Sequence, residues 1–373
     1  MSEREKLWHI ALVCHSLRCG GAERAMVLLA QGLSDRGHQV SVITIDNDDS
    51  DFYTLSPQVK RIVLNVSSYS RDILQAVKSN LYRLLSLRKT IESLQPDIVI
   101  SFMDITNVLT LLALVNTQSK VIVNEQNNPL ALKSKPWQIL RRLAYPLAAK
   151  LVSVSGGVDA GFEWLPKHKR TVIYNALTPI GDRPTTVELP QGADVEKKWV
   201  VAMGRLVKQK NFSMLLSAFH RIAQMHPDWQ LLIFGEGELR SQLERQRDEL
   251  GLQNRVLLPG ITANPFGIYQ RAQLYAMSSL WEGLPAVLFE ALSCGLPIVS
   301  TDCPSGPREI IRDGIDGILV PTQDELALSQ AMDLLMSDDS KRQALSDRAK
   351  EAQDRFSLVT IVAQWEELIQ ELI

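Results

Sequence analysis

The chain has 373 residues, 45% of them hydrophobic and 22% charged, with a formal net charge of −2. At about 100–200 residues per domain, this ordinary globular composition is enough for two domains and excludes a disordered chain. The near-neutral total argues against a nucleic-acid binder, and the longest uncharged apolar stretch, residues 105–115, falls short of the roughly 20 residues a membrane-spanning helix needs.

In chain order, the N-terminal MSEREKLW alternates charges before a short apolar run and shows no signal-peptide pattern, so a cytoplasmic protein is expected. Strands are predicted at 9–14, 40–45, 61–66, 98–101, 121–124, 151–155 and 172–174, with helical patterns such as 22–32 and 72–94 between them. Residues 177–197 hold three prolines and two glycines with little periodicity and read as an interdomain linker. Strands then resume at 199–203, 230–234, 255–258, 274–277, 298–300 and 318–320, with helices at 211–224, 238–250, 286–293 and 324–336. This alternation predicts an α/β protein with two Rossmann-like, doubly wound parallel sheets, in domains 1–176 and 198–355. Ligands then belong beyond the carboxyl ends of the strands, with a substrate cleft between the domains.

The small net charge conceals an asymmetry. Residues 1–180 hold 21 Lys and Arg against 15 Asp and Glu, a net of +6, and residues 181–373 a net of −8. A basic first half suits an anionic ligand or surface, although undirected drift of surface charge gives the same count. The four cysteines, Cys14, Cys19, Cys294 and Cys303, form no CxxC pair and stand at no zinc-like spacing from a histidine, so free thiols are expected.

Three motifs carry chemistry. Gly20 and Gly21 follow the first strand and open a helix, whose free amides and positive dipole end suit a phosphate; a plain tight turn is the alternative. The pattern is neither a GxGxxG fingerprint nor a Walker lysine loop. Residues 204–211, Gly-Arg-Leu-Val-Lys-Gln-Lys-Asn, open the second sheet, and Arg205 and Lys210 there suit a diphosphate, against the alternative of a solvated basic turn. In residues 282–290 two carboxylates, Glu282 and Glu290, flank Gly-Leu-Pro. The loop places Glu282 at a helix N-terminus and Glu290 within the helix, where it can accept paired bonds from a ribose diol.

These motifs, with Gly-Glu-Gly-Glu at 235–238 and the whole run 281–302, resemble glycosyltransferase family 4 in order over nearly the whole chain. The resemblance implies a retaining nucleotide-sugar transferase of the GT-B fold, whose C-terminal segment, 356–373, crosses back as a helix to the first domain. Residues 101–107, together with Lys135-Pro136-Trp137, Leu140-Arg141-Arg142 and Tyr145-Pro146, are similar to bacterial N-acetylgalactosaminyltransferases that extend polyprenyl-diphosphate-linked oligosaccharides. By resemblance, Arg205 and Lys210 hold the donor diphosphate and Glu282 faces the donor sugar. Gly204, Gly235, Leu284, Pro285, Ala286, Val287 and Glu290 contact the rest of the donor. Gly20, Gly21, Asp104, Asn107, Gln126, Lys133, Lys135, Arg141 and Arg142 serve the acceptor or a phosphate. One departure matters: where many members have Ser-Glu-His, this chain reads Asn124-Glu125-Gln126, and Gln126 cannot titrate near neutrality.

The implied partners are a UDP-sugar donor, a polyprenyl-diphosphate-linked glycan acceptor and the anionic inner face of the cell membrane, with no nucleic acid and no cofactor. No metal is expected, since the acidic Asp49-Ser50-Asp51 stands far from the donor motifs. Residues 127–158 carry five basic and no acidic side chains before Asp159, with Trp137, Leu140, Ala144 and Leu147 as an apolar stripe, and 71–94 is also amphipathic and basic; each suits a membrane surface or ordinary packing on the sheet. Competing readings are a UDP-sugar 2-epimerase, for which no acid/base set of carboxylates and His stands out, and a non-catalytic nucleotide-sugar-binding subunit.

Overall fold

Runs of Val, Ile and Leu buried on both faces make the strands of both sheets, the pattern parallel sheets require. The computed structural model describes residues 6–49, 51–66, 73–129, 132–177 and 189–373. Ser50, Arg71, Asp72 and the linker residues 178–188 lie outside the described residues. The chain divides into two compact units, Met1–Ala176 with Leu358–Ile373, and Leu177–Ser357.

In the first unit β1 (His9–Cys14), α1 (Gly21–Asp35), β2 (Gln39–Thr44), β3 (Lys60–Val63), α2 (Ile73–Leu94), β4 (Ile98–Phe102), α3 (Asp104–Ala113), β5 (Val121–Glu125), α4 (Lys135–Ala144), β6 (Lys150–Ser153), α5 (Gly156–Ala160) and β7 (Arg170–Val172) build a parallel sheet of order β3-β2-β1-β4-β5-β6-β7. In the second, β8 (Lys198–Met203), α6 (Phe212–Ala223), β9 (Trp229–Phe234), α7 (Arg240–Glu249), β10 (Val256–Gly260), α8 (Pro265–Arg271), β11 (Leu274–Met277), α9 (Ala286–Ser293), β12 (Ile298–Thr301), α10 (Pro307–Ile310), β13 (Gly317–Val320), α11 (Glu325–Ser337), α12 (Asp339–Ala349) and α13 (Ala352–Arg355) give the order β10-β9-β8-β11-β12-β13. The last helix, α14 (Leu358–Leu372), packs on α1, where Glu366 accepts from His38 Nε2 at 3.0 Å and pairs with Arg36 at 3.3 Å.

Two elements bear on how the sequence reads. The uncharged stretch from Ile105 forms α3, a helix buried over most of its length and so without an apolar stripe to read. The strand expected at 172–174 forms two residues earlier, because Arg170 joins the edge of the sheet while its guanidinium pairs with Asp159 at 2.5 Å. In each unit the strand order reverses once, between β1 and β4 and between β8 and β11, and doubly wound sheets bind ligands at the carboxyl ends of strands at such switch points.

Candidate active site

At the second unit's switch point the turn after β8 and the loop after β11 are knitted together. Leu280 N–H donates to the Gln209 carbonyl at 2.8 Å, Gln209 Nε2 to the Trp281 carbonyl at 2.8 Å, and Ser278 Oγ to the Lys210 carbonyl at 2.8 Å. Lys210 Nζ meets Glu282 Oε1 at 2.7 Å in a largely buried ion pair, and Gly204, having no side chain, lets the Lys210 stem pass. Arg205 is exposed, and among the described residues its guanidinium makes no ion pair or hydrogen bond. Among the described residues the turn therefore presents the unpartnered Arg205 beside the paired Lys210. Pro285 caps α9, Leu284 and Pro285 are buried, and Ala286 and Val287 are half-buried in its first turn. Glu290 is 6% exposed and accepts from Tyr269 Oη at 3.0 Å. A carboxylate has lone pairs left for further donors. Tyr269 had no local sequence signal, since it reaches Glu290 from α8.

The first unit's switch point opens into a cavity of about 480 Å³. Cys14 and His15 line it at the end of β1, Phe102 and Met103 at the end of β4, Glu23 from α1, and Trp137 from α4. Asp104 stands in it at the start of α3, where it accepts from the Ile105 amide at 2.7 Å. Arg83 and Asn80 come from α2. Arg83 is half-buried and donates to the Val66 carbonyl at 3.3 Å and to Asn80 Oδ1 at 2.9 Å. Burial lowers the His15 pKa below its ordinary value, which favours the neutral imidazole.

At Gly20 and Gly21 the helix start already holds an anion. The Glu23 carboxylate folds back over Gly20, so that a Cβ there would lie 2.1 Å from Glu23 Oε2, and it accepts from its own amide. Burial raises its pKa. A phosphate at this helix start has to displace or neutralise Glu23.

Three residues expected to touch the acceptor are engaged inside the unit. Asn107 is fully buried, its Nδ2 donating to the Asn124 carbonyl at 3.0 Å, so it is corrected to a structural role. Gln126 is 7% exposed and exchanges two bonds with Asn175, at 2.8 and 3.1 Å, while its Nε2 also reaches Asn124 Oδ1, so both amide donors are used and Oε1 keeps one acceptor position. Arg141 lies over the Phe162 ring at 5.3 Å and donates to the Pro129 carbonyl at 3.3 Å. Lys133, Lys135 and Arg142 remain exposed, Arg142 over the Trp164 ring at 5.3 Å. The apolar stripe of α4 also differs from expectation. Ala144 packs inward, but Leu147 is exposed, in line with the exposed Ile139 and Leu143.

Among the described residues no group of three or more His, Cys, Asp or Glu side chains is placed to hold a metal ion. Asp51 pairs with Arg61, and Asp49 accepts from Asn47 at 2.9 Å. Burial pushes the Cys303 thiol up to about 12 and the Cys294 thiol to about 11, which leaves both protonated. Among the described residues no helix is long and apolar enough to cross a membrane.

Comparison with known proteins decides the family. The family model described as Glycosyltransferase Family 4 matches residues 19–179, and that described as Glycosyl transferases group 1 matches 188–352. A Campylobacter jejuni protein named GalNAc-alpha-(1->4)-GalNAc-alpha-(1->3)-diNAcBac-PP-undecaprenol alpha-1,4-N-acetyl-D-galactosaminyltransferase is 31% identical over 366 residues, 97% of this chain and 98% of its own. The chain is a family 4 glycosyltransferase. A second C. jejuni relative, named N-acetylgalactosamine-N,N'-diacetylbacillosaminyl-diphospho-undecaprenol 4-alpha-N-acetylgalactosaminyltransferase, is 29% identical over 94% of this glycosyltransferase and 96% of its own length. The enzyme is thus a hexosyltransferase. Its GT-B fold is shared with sucrose-phosphate synthase from Thermosynechococcus elongatus, with a TM-score of 0.82 at 18% identity over 98% of each chain. Anabaena HepE, solved in complex with UDP and glucose, has a TM-score of 0.78 at 21% identity over 97% of the glycosyltransferase and 99% of its own chain.

Proposed function

We propose that the enzyme moves N-acetylgalactosamine, or another hexose or N-acetylhexosamine, from a UDP-sugar to a polyprenyl-diphosphate-linked glycan, with retention and without a metal ion. The observation that carries this reading is Arg205, exposed and without a partner among the described residues, beside the Lys210–Glu282 pair at the second unit's switch point. As the sugar–phosphate bond breaks, the leaving diphosphate gains negative charge. Arg205, Lys210 and the first amides of α9 are preorganised donors for that charge, and such electrostatic stabilisation typically contributes most to catalysis of this kind. A leaving-phosphate oxygen takes the proton of the incoming hydroxyl, so no titrating group is needed from Gln126. Glu290 takes the ribose hydroxyls alongside Tyr269. The names of the two C. jejuni relatives support the donor sugar and the lipid-linked acceptor, and the cavity of the first unit is the acceptor's place.

A thermal-shift panel of UDP-, GDP- and dTDP-sugars tests the donor. A ligand at 100 times its Kd stabilises by about 2.7 kcal/mol, so UDP-N-acetylgalactosamine should raise Tm by several degrees. A GDP-sugar giving the larger shift overturns this choice. Transfer to a polyprenyl-diphosphate-linked acceptor should persist in EDTA; loss restored by Mn²⁺ overturns the metal-free step.

The acceptor's lipid calls for peripheral contact with an anionic membrane at the cytoplasmic face. In support, Ile139, Leu143 and Leu147 on one side of the unit and Val77, Leu81 and Leu85 along α2 stand exposed at helical spacing, with Lys133, Lys135 and Arg142 near the first set and Lys78 and Lys89 near the second. At about 1 kcal/mol per basic residue, replacing Lys133, Lys135 and Arg142 with Gln should weaken co-sedimentation with anionic liposomes roughly a hundredfold. Unchanged sedimentation removes the membrane contact.

A further inference from the structure

Glu125 closes β5 with 1% of its surface exposed, a rare setting for a carboxyl group. It accepts a hydrogen bond from the phenol of Tyr145, which immediately follows α4 and is equally buried. Asn107, in the opening turns of α3, donates to the same phenol oxygen at 3.3 Å and to the Asn124 carbonyl at 3.0 Å, while its Oδ1 is buried with no partner among the described residues. The Tyr145 ring stacks on Phe162 at 5.8 Å, and Phe162 carries the Arg141 guanidinium. One buried polar cluster thus joins the start of α3, the end of β5 and the end of α4. The same helices supply Asp104, Ile105 and Trp137 to the cavity of the first unit.

We propose that Glu125 is a positioning residue for acceptor binding: through Tyr145 and Asn107 it fixes α4 against α3 and so sets the spacing of the cavity walls those helices provide. This rests on the assignment of that cavity to the acceptor. Apolar side chains would fill the same volume at lower desolvation cost, but they cannot hold a helix end at one orientation as directed hydrogen bonds do. Trp137 lies two turns before Tyr145 on the α4 segment, so a loosened Tyr145 transmits directly to the wall.

The groups facing the carboxyl are Tyr145 and Arg141 from the α4 segment and Asn107 and Asp104 from α3. Burial pushes Glu125 up to about 7, with Asp104 adding to the shift and the Tyr145 bond, the Arg141 charge and Asn107 opposing it. Below about pH 7 the neutral acid is therefore the form the folded cluster favours. Its stabilisation is fully present below the ordinary value of 4.5 and is lost as the pH rises through about 7.

The test uses Glu125→Ala, Glu125→Gln and Tyr145→Phe in the full-length enzyme. Glu125→Ala and Tyr145→Phe should speed hydrogen exchange in residues 104–113 and 135–147 about tenfold or more and leave the second unit unchanged. The acceptor KM should rise by about tenfold, with kcat and the UDP-sugar thermal shift within about twofold of wild type. Glu125→Gln, a neutral mimic, should keep wild-type exchange and KM; the wild-type acceptor KM should rise between about pH 6 and 8, and that of Glu125→Gln should stay flat. Where Glu125→Ala does not fold, Tyr145→Phe, which keeps the ring on Phe162, carries the same measurement. Unchanged exchange and KM in Tyr145→Phe overturns the proposal, as does a loss of donor binding that parallels the loss of acceptor binding. An exchange response in an enzyme inactive on every polyprenyl-linked acceptor overturns the acceptor assignment instead and leaves the anchoring in place.

Discussion

Arg205→Ala should lower kcat by roughly 10²–10³ with Tm almost unchanged, whereas Lys210→Ala should lower kcat by a similar factor and Tm by roughly 10 °C. The difference follows from what each cation touches. Arg205 is exposed, so its removal leaves nothing buried behind, and on the proposed role it takes only a donor from the leaving diphosphate. Lys210 is paired at 2.7 Å with Glu282, whose side chain is 8% exposed. Deleting the lysine strands a carboxylate in low dielectric, which typically costs about 3–5 kcal/mol. The double variant Lys210→Ala/Glu282→Gln removes the stranded charge and should recover most of the Tm without recovering turnover. Single-turnover kinetics and thermal unfolding on the same preparations check all three. Wild-type turnover in either single variant would sink the assignment of these two cations to the diphosphate. Equal Tm losses for Arg205→Ala and Lys210→Ala would show that the ion pair has no special weight in stability.

Much of this arrangement was legible in the sequence because parallel strands advertise themselves. Buried on both faces, β1, β8 and β11 appear as unbroken apolar runs, and their ends mark where ligand-binding loops must lie. Gly283 and Pro285 likewise stop one element and start another, and α9 begins where they require. The misses share a different cause. Asn107 and Gln126 were given to the acceptor by resemblance, which does not show what holds a side chain inside the unit. Their partners, Asn124, Tyr145 and Asn175, lie up to 49 residues away and become neighbours only when the strands align. The Lys210–Glu282 pair spans 72 residues and was no more visible, although each member was singled out alone. The outward set of Ile139, Leu143 and Leu147 was missed for the opposite reason. Periodicity identifies an apolar stripe, but which of two adjacent stripes packs inward depends on the neighbouring helix.

Gly235→Ala should be the most damaging single-methyl change in the second unit, at about 3–5 kcal/mol. Gly235 follows β9 at a φ of +137°, a conformation L side chains rarely adopt. A Cβ there would stand 1.9 Å from the Gly204 carbonyl oxygen. The obstacle is main chain, so no rotamer change relieves it. Nor can Gly204 retreat freely, because its amide donates to the Phe234 carbonyl at 3.0 Å while the Gly235 amide donates to the Gly260 carbonyl at 2.8 Å. The clash must therefore push apart the ends of β8 and β9 and move Arg205, the next residue along. The variant should lose roughly 10 °C in Tm and its UDP-sugar thermal shift together. Gly251→Ala provides the internal control, since its φ of +68° is also left-handed but nothing lies within 4 Å of the added carbon. That change should cost only about 1–2 kcal/mol and leave donor binding intact. Similar Tm losses in the two variants, or an undiminished donor response in Gly235→Ala, would show that the close approach of Gly235 to Gly204 does not hold the Arg205 turn in place.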